Sequence, residues 1–340
     1  MNSISTQQKH TSIQLTALWA FAESGLGGLM HAFKIPFTGI FVGGMAVLML
    51  ILLAHQSTFK IIVQTTLLVM LVKLIASPQS PPPAYLAVAF QGFSAAIIYQ
   101  LIPHKTTATL LFSILAMMES ALQKVIVTTL IYGKAFWQAI DLFSASVLKE
   151  MGAISDFKLS WWLICGYCAI YFIWGIVIGF WGLSIQIRKE KTGSELLKFI
   201  AENQIQIPIQ SSNNSKKVKR PILSYLSFFV ILGMLITFYV TGFKSKELLY
   251  VLLRSLFALV ILIFIINPII KHLLLKWSEK QSEQRKNELN QILNQLPVIK
   301  NNWFLAKEIV RLKESKQFIL FKTLETFIFI SLAEHAVPKK

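Results

Sequence analysis

The chain has 340 residues, 54% hydrophobic and only 14% charged, with a mean hydropathy of +0.59. A soluble domain carries about 25% charged residues, so this composition argues against an ordinary soluble fold. The formal net charge of +17 would suggest nucleic acid in a soluble protein. Here the apolar residues come in blocks of roughly twenty, the length that crosses a bilayer core. The charge is therefore read as basic cytoplasmic loops facing anionic lipid, with no nucleic-acid partner.

The first eleven residues are polar and no small-residue cleavage site follows an apolar stretch, so no signal peptide is expected. Only helices and closed barrels satisfy their backbone groups in lipid, and these runs are too long and continuous for barrel strands. The expected fold class is all-α, a polytopic membrane protein with eight spans: about 12–32, 37–54, 59–77, 84–102, 106–132, 160–184, 221–241 and 248–272. The breakers agree with this division. Pro36 and Gly39 separate the first two spans, and the segment Ser77-Pro78-Gln79-Ser80-Pro81-Pro82-Pro83 separates the third from the fourth. Pro103 ends the fourth. Residues 134–160 form a mixed segment with a surface helix carrying Trp137, Asp141 and Phe143.

Orientation follows from the basic loops. The stretch 188–220 holds eight Lys/Arg against three Asp/Glu, and the segment after the eighth span is again Lys-rich. The positive-inside rule places both in the cytoplasm. Two spans lie between them and six precede them, so both termini are expected to be cytoplasmic in a multi-pass protein of the cell membrane. The organisation read from this is a six-helix substrate-binding domain (1–187), a basic linker (188–220), a two-helix hairpin (221–272) and a helical cytoplasmic tail (273–340). Within the tail, 276–295 reads as a charged, solvated helix, while 303–316 and 318–333 read as amphipathic. The last, interrupted by Lys322 and Glu325, is too short for a span; it suits the membrane interface or the surface of another subunit.

Ionisable residues inside spans are expensive and invite a functional hypothesis. The first six spans carry Glu23, Lys73, Glu119 and Lys124, with Gln91 and Gln123 as uncharged neighbours; His31 and Lys34 close the outer end of the first. With the orientation above, these groups lie at mid-depth or in the outer half, as an outward-facing, partly wet pocket requires. Glu119 and Gln123, four apart, share a helix face. Acid and base together suit a polar or zwitterionic small molecule, with Trp19, Phe33, Phe37, Tyr85, Phe90 and Trp137 available for apolar contact. The competing structural reading has Lys73 snorkelling outward and Glu23 paired with Lys124 as fold glue. Ala20, Ser24 and Gly28, spaced by four, and Gly39 with Gly43 form small-residue stripes that allow close helix approach, within the subunit or to a partner.

Cys165 and Cys168 spell C-x-x-C, but no second pair or His pair completes a zinc site, so no metal is expected. No phosphate-loop motif is present, so an ATP-driven step needs another chain. No H-E-x-x-H or G-x-S-x-G signature points to catalysis and no cofactor is implied.

The strings Glu23-Ser24-Gly25-Leu26-Gly27-Gly28, running into Lys34-Ile35-Pro36-Phe37-Thr38-Gly39, and Gly133-Lys134-Ala135-Phe136-Trp137-Gln138-Ala139-Ile140-Asp141 carry a resemblance. Residues of about 12–188 resemble the S component of energy-coupling factor transporters. The resemblance implies a vitamin-sized substrate capped by the outer loops after the first, third and fifth spans. It also implies a membrane coupling subunit and separate ATPase subunits as partners. The family's Ala-x-x-x-Ala docking motif is degenerate here: Ala20-x-x-x-Ser24-x-x-x-Gly28. The resemblance gives no account of the last two spans and tail, because such subunits usually stop after six.

The expected function is substrate capture for an ATP-driven importer, without catalysis in this chain. The alternatives are a membrane enzyme acting on a lipid or prenyl substrate through Glu23 or Glu119, and a scaffold whose basic tail recruits a cytoplasmic partner. The candidate binding residues are Glu23, His31, Lys34, Lys73, Gln91, Glu119, Gln123, Lys124 and Trp137. The candidate docking residues are Ala20, Ser24 and Gly28.

Overall fold

Proline and glycine set several of the helix ends. Pro82 occupies the first turn of a helix, where a missing N–H costs nothing, and Gly133 turns the chain at φ 75°, a conformation that side chains with a Cβ rarely adopt. The computed structural model describes residues 2–27, 30, 39–77, 80–151, 158–203, 253, 256–257, 260–313 and 319–333. All regular structure among the described residues is helical. Helix α1 (Asn2–Phe21) passes into a π-helical segment, Ala22–Leu26. A second π segment, Gly39–Gly43, opens α2 (Gly44–Ala54). Then come α3 (Phe59–Ala76), α4 (Pro82–Leu101), α5 (Lys105–Tyr132), α6 (Lys134–Glu150) and α7 (Leu159–Glu202). A third π segment, Ile261–Ile266, leads into α8 (Asn267–Glu279), followed by α9 (Glu283–Leu312) and α10 (Ile319–Ala333).

The all-α class is as expected. Among the described residues, four helices are long and apolar enough to cross a membrane: Phe59–Ala76, Pro82–Leu101, Lys105–Tyr132 and the Leu159–Lys189 part of α7; Gly39–Ala54 is a shorter apolar stretch. The expected seventh span lies outside the described residues, as do nine of the 25 positions of the eighth.

The chain divides into two compact units, one of Met1–Val125, Trp161–Ile209 and Ile263–Lys340, the other of Ile126–Ser160 and Gln210–Leu262. In the first, α2 is the axis. Every one of its residues is buried, as its all-round apolar sequence requires. Helices α1 and α4 pack on it. Helix α7 reaches both α2 and α5 through glycines: a Cβ on Gly182 would stand 2.9 Å from Ile51 Cγ2, and one on Gly175 would stand 2.9 Å from Ile114 Cα and 3.0 Å from Ser113 O. The apolar G-x-x-x-G pair on this helix, Gly175 and Gly179, brings the α7 and α5 backbones together. On the outside of the same unit, α4 exposes Leu86, Phe90, Phe93, Ile97 and Leu101, and α7 exposes Phe172, Ile173, Val177 and Phe180.

Two expectations for the C-terminal half are corrected. Helix α7 does not stop at Ser184. It continues through Glu202, so nearly half of the expected linker, 188–202, is helix. At 44 residues it is about 66 Å long, roughly twice a bilayer core. Nor is the segment 318–333 left for the membrane interface or another subunit. Helix α9 packs along α1 and touches α3, and α10 packs on α9 and α1. Phe327, Ile328, Phe329 and Ile330 of α10 are buried within the chain rather than held out for an interface or another subunit. Phe327 meets Phe21 and Trp303, Phe321 stacks on Trp181, and Arg188 of α7 pairs with Glu325. Four apolar residues in a row can all be buried because α10 is covered on more than one side.

In the second unit, Asp141 of α6 anchors the start of α7, accepting from Ser160 N and Ser160 Oγ, each at 2.8 Å.

The glycine contacts give a direct check. A Cβ placed on Gly166, also on α7, would meet nothing within 4 Å. Gly166→Ala is expected to leave stability unchanged or raise it by about 0.5–1 kcal/mol through helix propensity, whereas Gly175→Ala is expected to lose about 1–3 kcal/mol by overpacking against backbone that cannot yield. Thermal unfolding of the two variants in detergent micelles measures the difference.

Candidate functional site

The first π segment places Glu23. A π turn adds a residue and shifts the backbone ladder, and such turns frequently sit at functional sites. The shift is visible in the bonding: Gly27 N–H donates to Ala22 O and Ser24 O, and the Ser24 hydroxyl donates back to Ala20 O at 2.5 Å. Lys73, in the last turn of α3, reaches Glu23 Oε2 at 2.5 Å, with both side chains only 5–6% exposed. Glu23 is therefore paired with Lys73. The alternative pairing with Lys124 and the outward snorkelling of Lys73 are both corrected, because α1 and α3 pack side by side while Lys124 is exposed.

The second π segment packs against the first and gathers uncharged polar groups. Gly43 lies where a Cβ would sit 3.4 Å from Ser120 Oγ, 3.7 Å from Gln91 Nε2 and 4.0 Å from Met117 Sδ. Groups from α4 and α5 thus approach Gly43 to within ordinary van der Waals contact of an added Cβ. Trp174 of α7 supports the segment by donating Nε1–H to Ile40 O at 3.0 Å. Glu119, adjacent to Ser120, is within Coulombic range of Glu23.

Hydrogen bonding among the buried polar groups of this unit is incomplete. Gln91 is 1% exposed and Tyr85 0%, yet Gln91 Oε1, Tyr85 OH and the buried Glu119 Oε2 have no hydrogen-bond partner. Trp19 Nε1 on α1 is likewise unmet. Each buried polar atom left unsatisfied costs about 1–3 kcal/mol.

Of the residues expected at the site, Glu23, Lys73, Gln91 and Glu119 belong to this cluster. Gln123 does other work: its Nε2 donates to Pro83 O at 2.8 Å, tying α5 to the start of α4. Trp137 belongs to the second unit, where Nε1 donates to Thr129 Oγ1 at 2.9 Å. His31 and Lys34 lie outside the described residues. Of the expected docking stripe, Ala20 and Ser24 are buried within the chain, and Gly28 lies outside the described residues. Cys165 and Cys168 are free thiols, and the described residues hold no group of metal-ligating side chains.

A second polar knot, unforeseen from sequence, closes the far end of α2. Thr109 Oγ1 donates to Lys105 O at 2.7 Å, so its oxygen accepts from Tyr99 OH at 2.7 Å and from His55 Nε2 at 3.0 Å, which fixes the imidazole as the Nε2–H tautomer. Lys105 Nζ donates to His55 O at 2.7 Å. Burial, and then the charges of Lys105 and Lys189, hold the His55 imidazole well below its ordinary value, at about 4.

No family model, curated protein or solved structure matches the chain.

Two outcomes follow. Lys73→Met strands a buried carboxylate and is expected to destabilise by about 3–5 kcal/mol, while Glu23→Gln with Lys73→Met recovers most of that loss; chemical denaturation of the single and double variants measures the coupling. His55, with its folded pKa depressed, stabilises fully above the unfolded value of 6.5 and loses that contribution as pH falls toward about 4. The melting temperature of the native chain is expected to fall more steeply over that window than that of His55→Gln, and parallel pH series would show equal slopes if the network did not matter.

Proposed function

We propose that the chain is a membrane-embedded capture subunit that binds a small polar solute at the Glu23–Lys73–Gln91–Glu119 cluster. The observation that supports this reading is that Gln91 Oε1, Tyr85 OH and Glu119 Oε2, in the unit that holds the Glu23–Lys73 pair, are buried without hydrogen-bond partners. A purely structural cluster would be expected to satisfy its own groups. These atoms are satisfied when a solute arrives, and pockets with few convergent polar groups among apolar walls are the usual form of such sites.

The membrane setting is part of the proposal. Exposed apolar stripes along α4 and α7 are far larger than a soluble monomer tolerates and suit lipid. The exposed Trp161 and Trp162 at the start of α7 suit an interfacial aromatic belt. In this reading the chain is multi-pass, with the cluster toward the outer leaflet and the Lys105–Lys189 end toward the cytoplasm. The organisation is then that of an S component of an energy-coupling factor transporter, with a coupling subunit and ATPases supplied by other chains. Its docking surface lies elsewhere than the Ala20–Ser24 stripe.

The test is native mass spectrometry of the full chain released from detergent. The native protein is expected to retain a bound small molecule, with occupancy at least tenfold lower in Gln91→Leu and Glu119→Gln and unchanged in Lys124→Ala, whose side chain is exposed. A tenfold loss corresponds to about 1.4 kcal/mol. Equal retention in all three variants, or no bound molecule in any, would overturn the proposal.

A further inference from the structure

We infer that helix α6 lies in the interfacial layer of a lipid bilayer, with its Phe136–Phe143–Val147 stripe among the acyl chains. The inference rests on the membrane setting proposed above and adds the place and partner of a helix that is not itself a span. At 17 residues, with Lys134, Gln138, Asp141 and Lys149 along it, α6 is shorter and more polar than the run of about 20 apolar residues that crosses a bilayer core.

Its two ties to the neighbouring helices fix where it runs. A single residue, Gly133, separates α6 from the end of α5, and its φ of 75° breaks the helix there. Trp137 donates Nε1–H to Thr129 Oγ1 at 2.9 Å, which folds the first turn of α6 back onto the last turn of α5. The Phe136 ring packs between Tyr132 and Trp137, with centroids 5.6 and 5.1 Å away. One turn further on, Asp141 accepts from Ser160 N and Ser160 Oγ, each at 2.8 Å, at the start of α7. Both α5 and α7 are long and apolar enough to cross a membrane. A helix bonded to the end of one such span and, about 6 Å further along its axis, to the beginning of the next crosses between them at the bilayer surface.

The faces of α6 suit that place. Phe136, Ile140, Phe143 and Val147 are spaced by four, three and four, as one helix face requires. Phe143 is 69% exposed, Val147 39% and Phe136 38%, and Ile140 is half-buried. Lys134, Gln138, Ala145 and Lys149 share the opposite face and are exposed, while Trp137, Ser144 and Leu148 fill one flank and are buried or half-buried. Leu142 is exposed on the other flank, and Glu150 ends the stripe at the last residue of the helix. One packed flank between an exposed apolar face and an exposed Lys/Gln face is the division that the boundary between headgroups and acyl chains imposes. A stripe of four residues is too small for a partner chain, whose interface takes roughly 20–30 residues a side.

Site-directed spin labelling of the full chain in phosphatidylcholine–phosphatidylglycerol nanodiscs tests the placement, in a Cys165→Ser, Cys168→Ser background. Single labels enter through Phe143→Cys and Val147→Cys on the stripe, Gln138→Cys and Ala145→Cys opposite it, and Ile173→Cys near the middle of the α7 span. All five positions are exposed, so a label displaces no packed side chain. Collisions with oxygen, which partitions into lipid, and with a nickel chelate, which stays in water, report depth. The Phe143 and Val147 sites are expected to read about 5–10 Å into the headgroup–acyl boundary, the Gln138 and Ala145 sites to read as water-exposed, and the Ile173 site to lie deep in lipid. Equal water exposure on the two faces of α6 would overturn the inference. So would shielding of the Phe143 and Val147 sites from both reagents, which marks a cover of protein. The Ile173 site decides the membrane setting separately: a deep label there with wet Phe143 and Val147 sites refutes the interfacial helix and leaves the span standing, whereas a wet label there overturns both.

Discussion

Burying Glu23 and Lys73 in an apolar bundle costs several kcal/mol per ion in desolvation, which their attraction offsets only at close range and with good geometry. That requirement constrains much of the first unit. The pair forms because a π segment turns Glu23 toward α3 at the end of α1, and because α3 runs beside α1 long enough to present Lys73 from its last turn. Within the π turn, the Ser24 hydroxyl finds its own acceptor in Ala20 O and adds no unmet donor to the buried pair. Small residues follow from the same constraint: Ala20 and Ser24, which from sequence alone suit a surface for another protein, are needed where α1 is crowded by α3, α9 and α10.

Polar groups gather at both ends of α2, and neither end is fully satisfied. At the Gly43 end Gln91 Oε1 is buried without a partner. At the His55 end Thr109 uses its proton and its lone pairs, and the backbone carbonyl of His55 is met by Lys105, while Gln56 Nε2 and Ser57 Oγ beside it are buried without partners. Low dielectric makes a fully satisfied network rigid and a partly satisfied one costly.

Legibility from sequence follows the physics of each signal. Apolar runs and prolines locate α3, α4 and α5 to within a few residues, because length and breakers act locally. The cluster members Glu23, Lys73, Gln91 and Glu119 are legible because charge or amide inside an apolar run is costly wherever it points. Their pairing is not, since which cation meets Glu23 depends on which helices are neighbours. Lys124 and Gln123 share a helix with Glu119 but turn to other surroundings. The Gly175–Gly179 pair, an apolar G-x-x-x-G, is a stronger signal of close helix approach than the Ala20–Ser24–Gly28 stripe, and it is the one that joins two helices across their backbones. His55 gives no signal, because a lone histidine after an apolar helix reveals nothing of the Thr109 and Tyr99 that receive it.

The C-terminal helices depart from expectation for a related reason. Charge along 276–295 looks like solvation and 303–316 reads as amphipathic, and a helix needs only one apolar stripe to dock: α9 buries Ile292, Ile299, Leu305, Ala306 and Ile309 on such a stripe. Docked along α1, it lies against the helix that ends in the Glu23 π segment, and α10 adds Phe327 against Phe21, two residues before that acid. The part of the chain that resembles an appendage in sequence therefore buttresses the helix that carries the ion pair. A change in how α9 and α10 sit on α1 would act on the orientation of Glu23 before it reached any other group of the cluster, since Phe21 is the contact nearest to it in the chain.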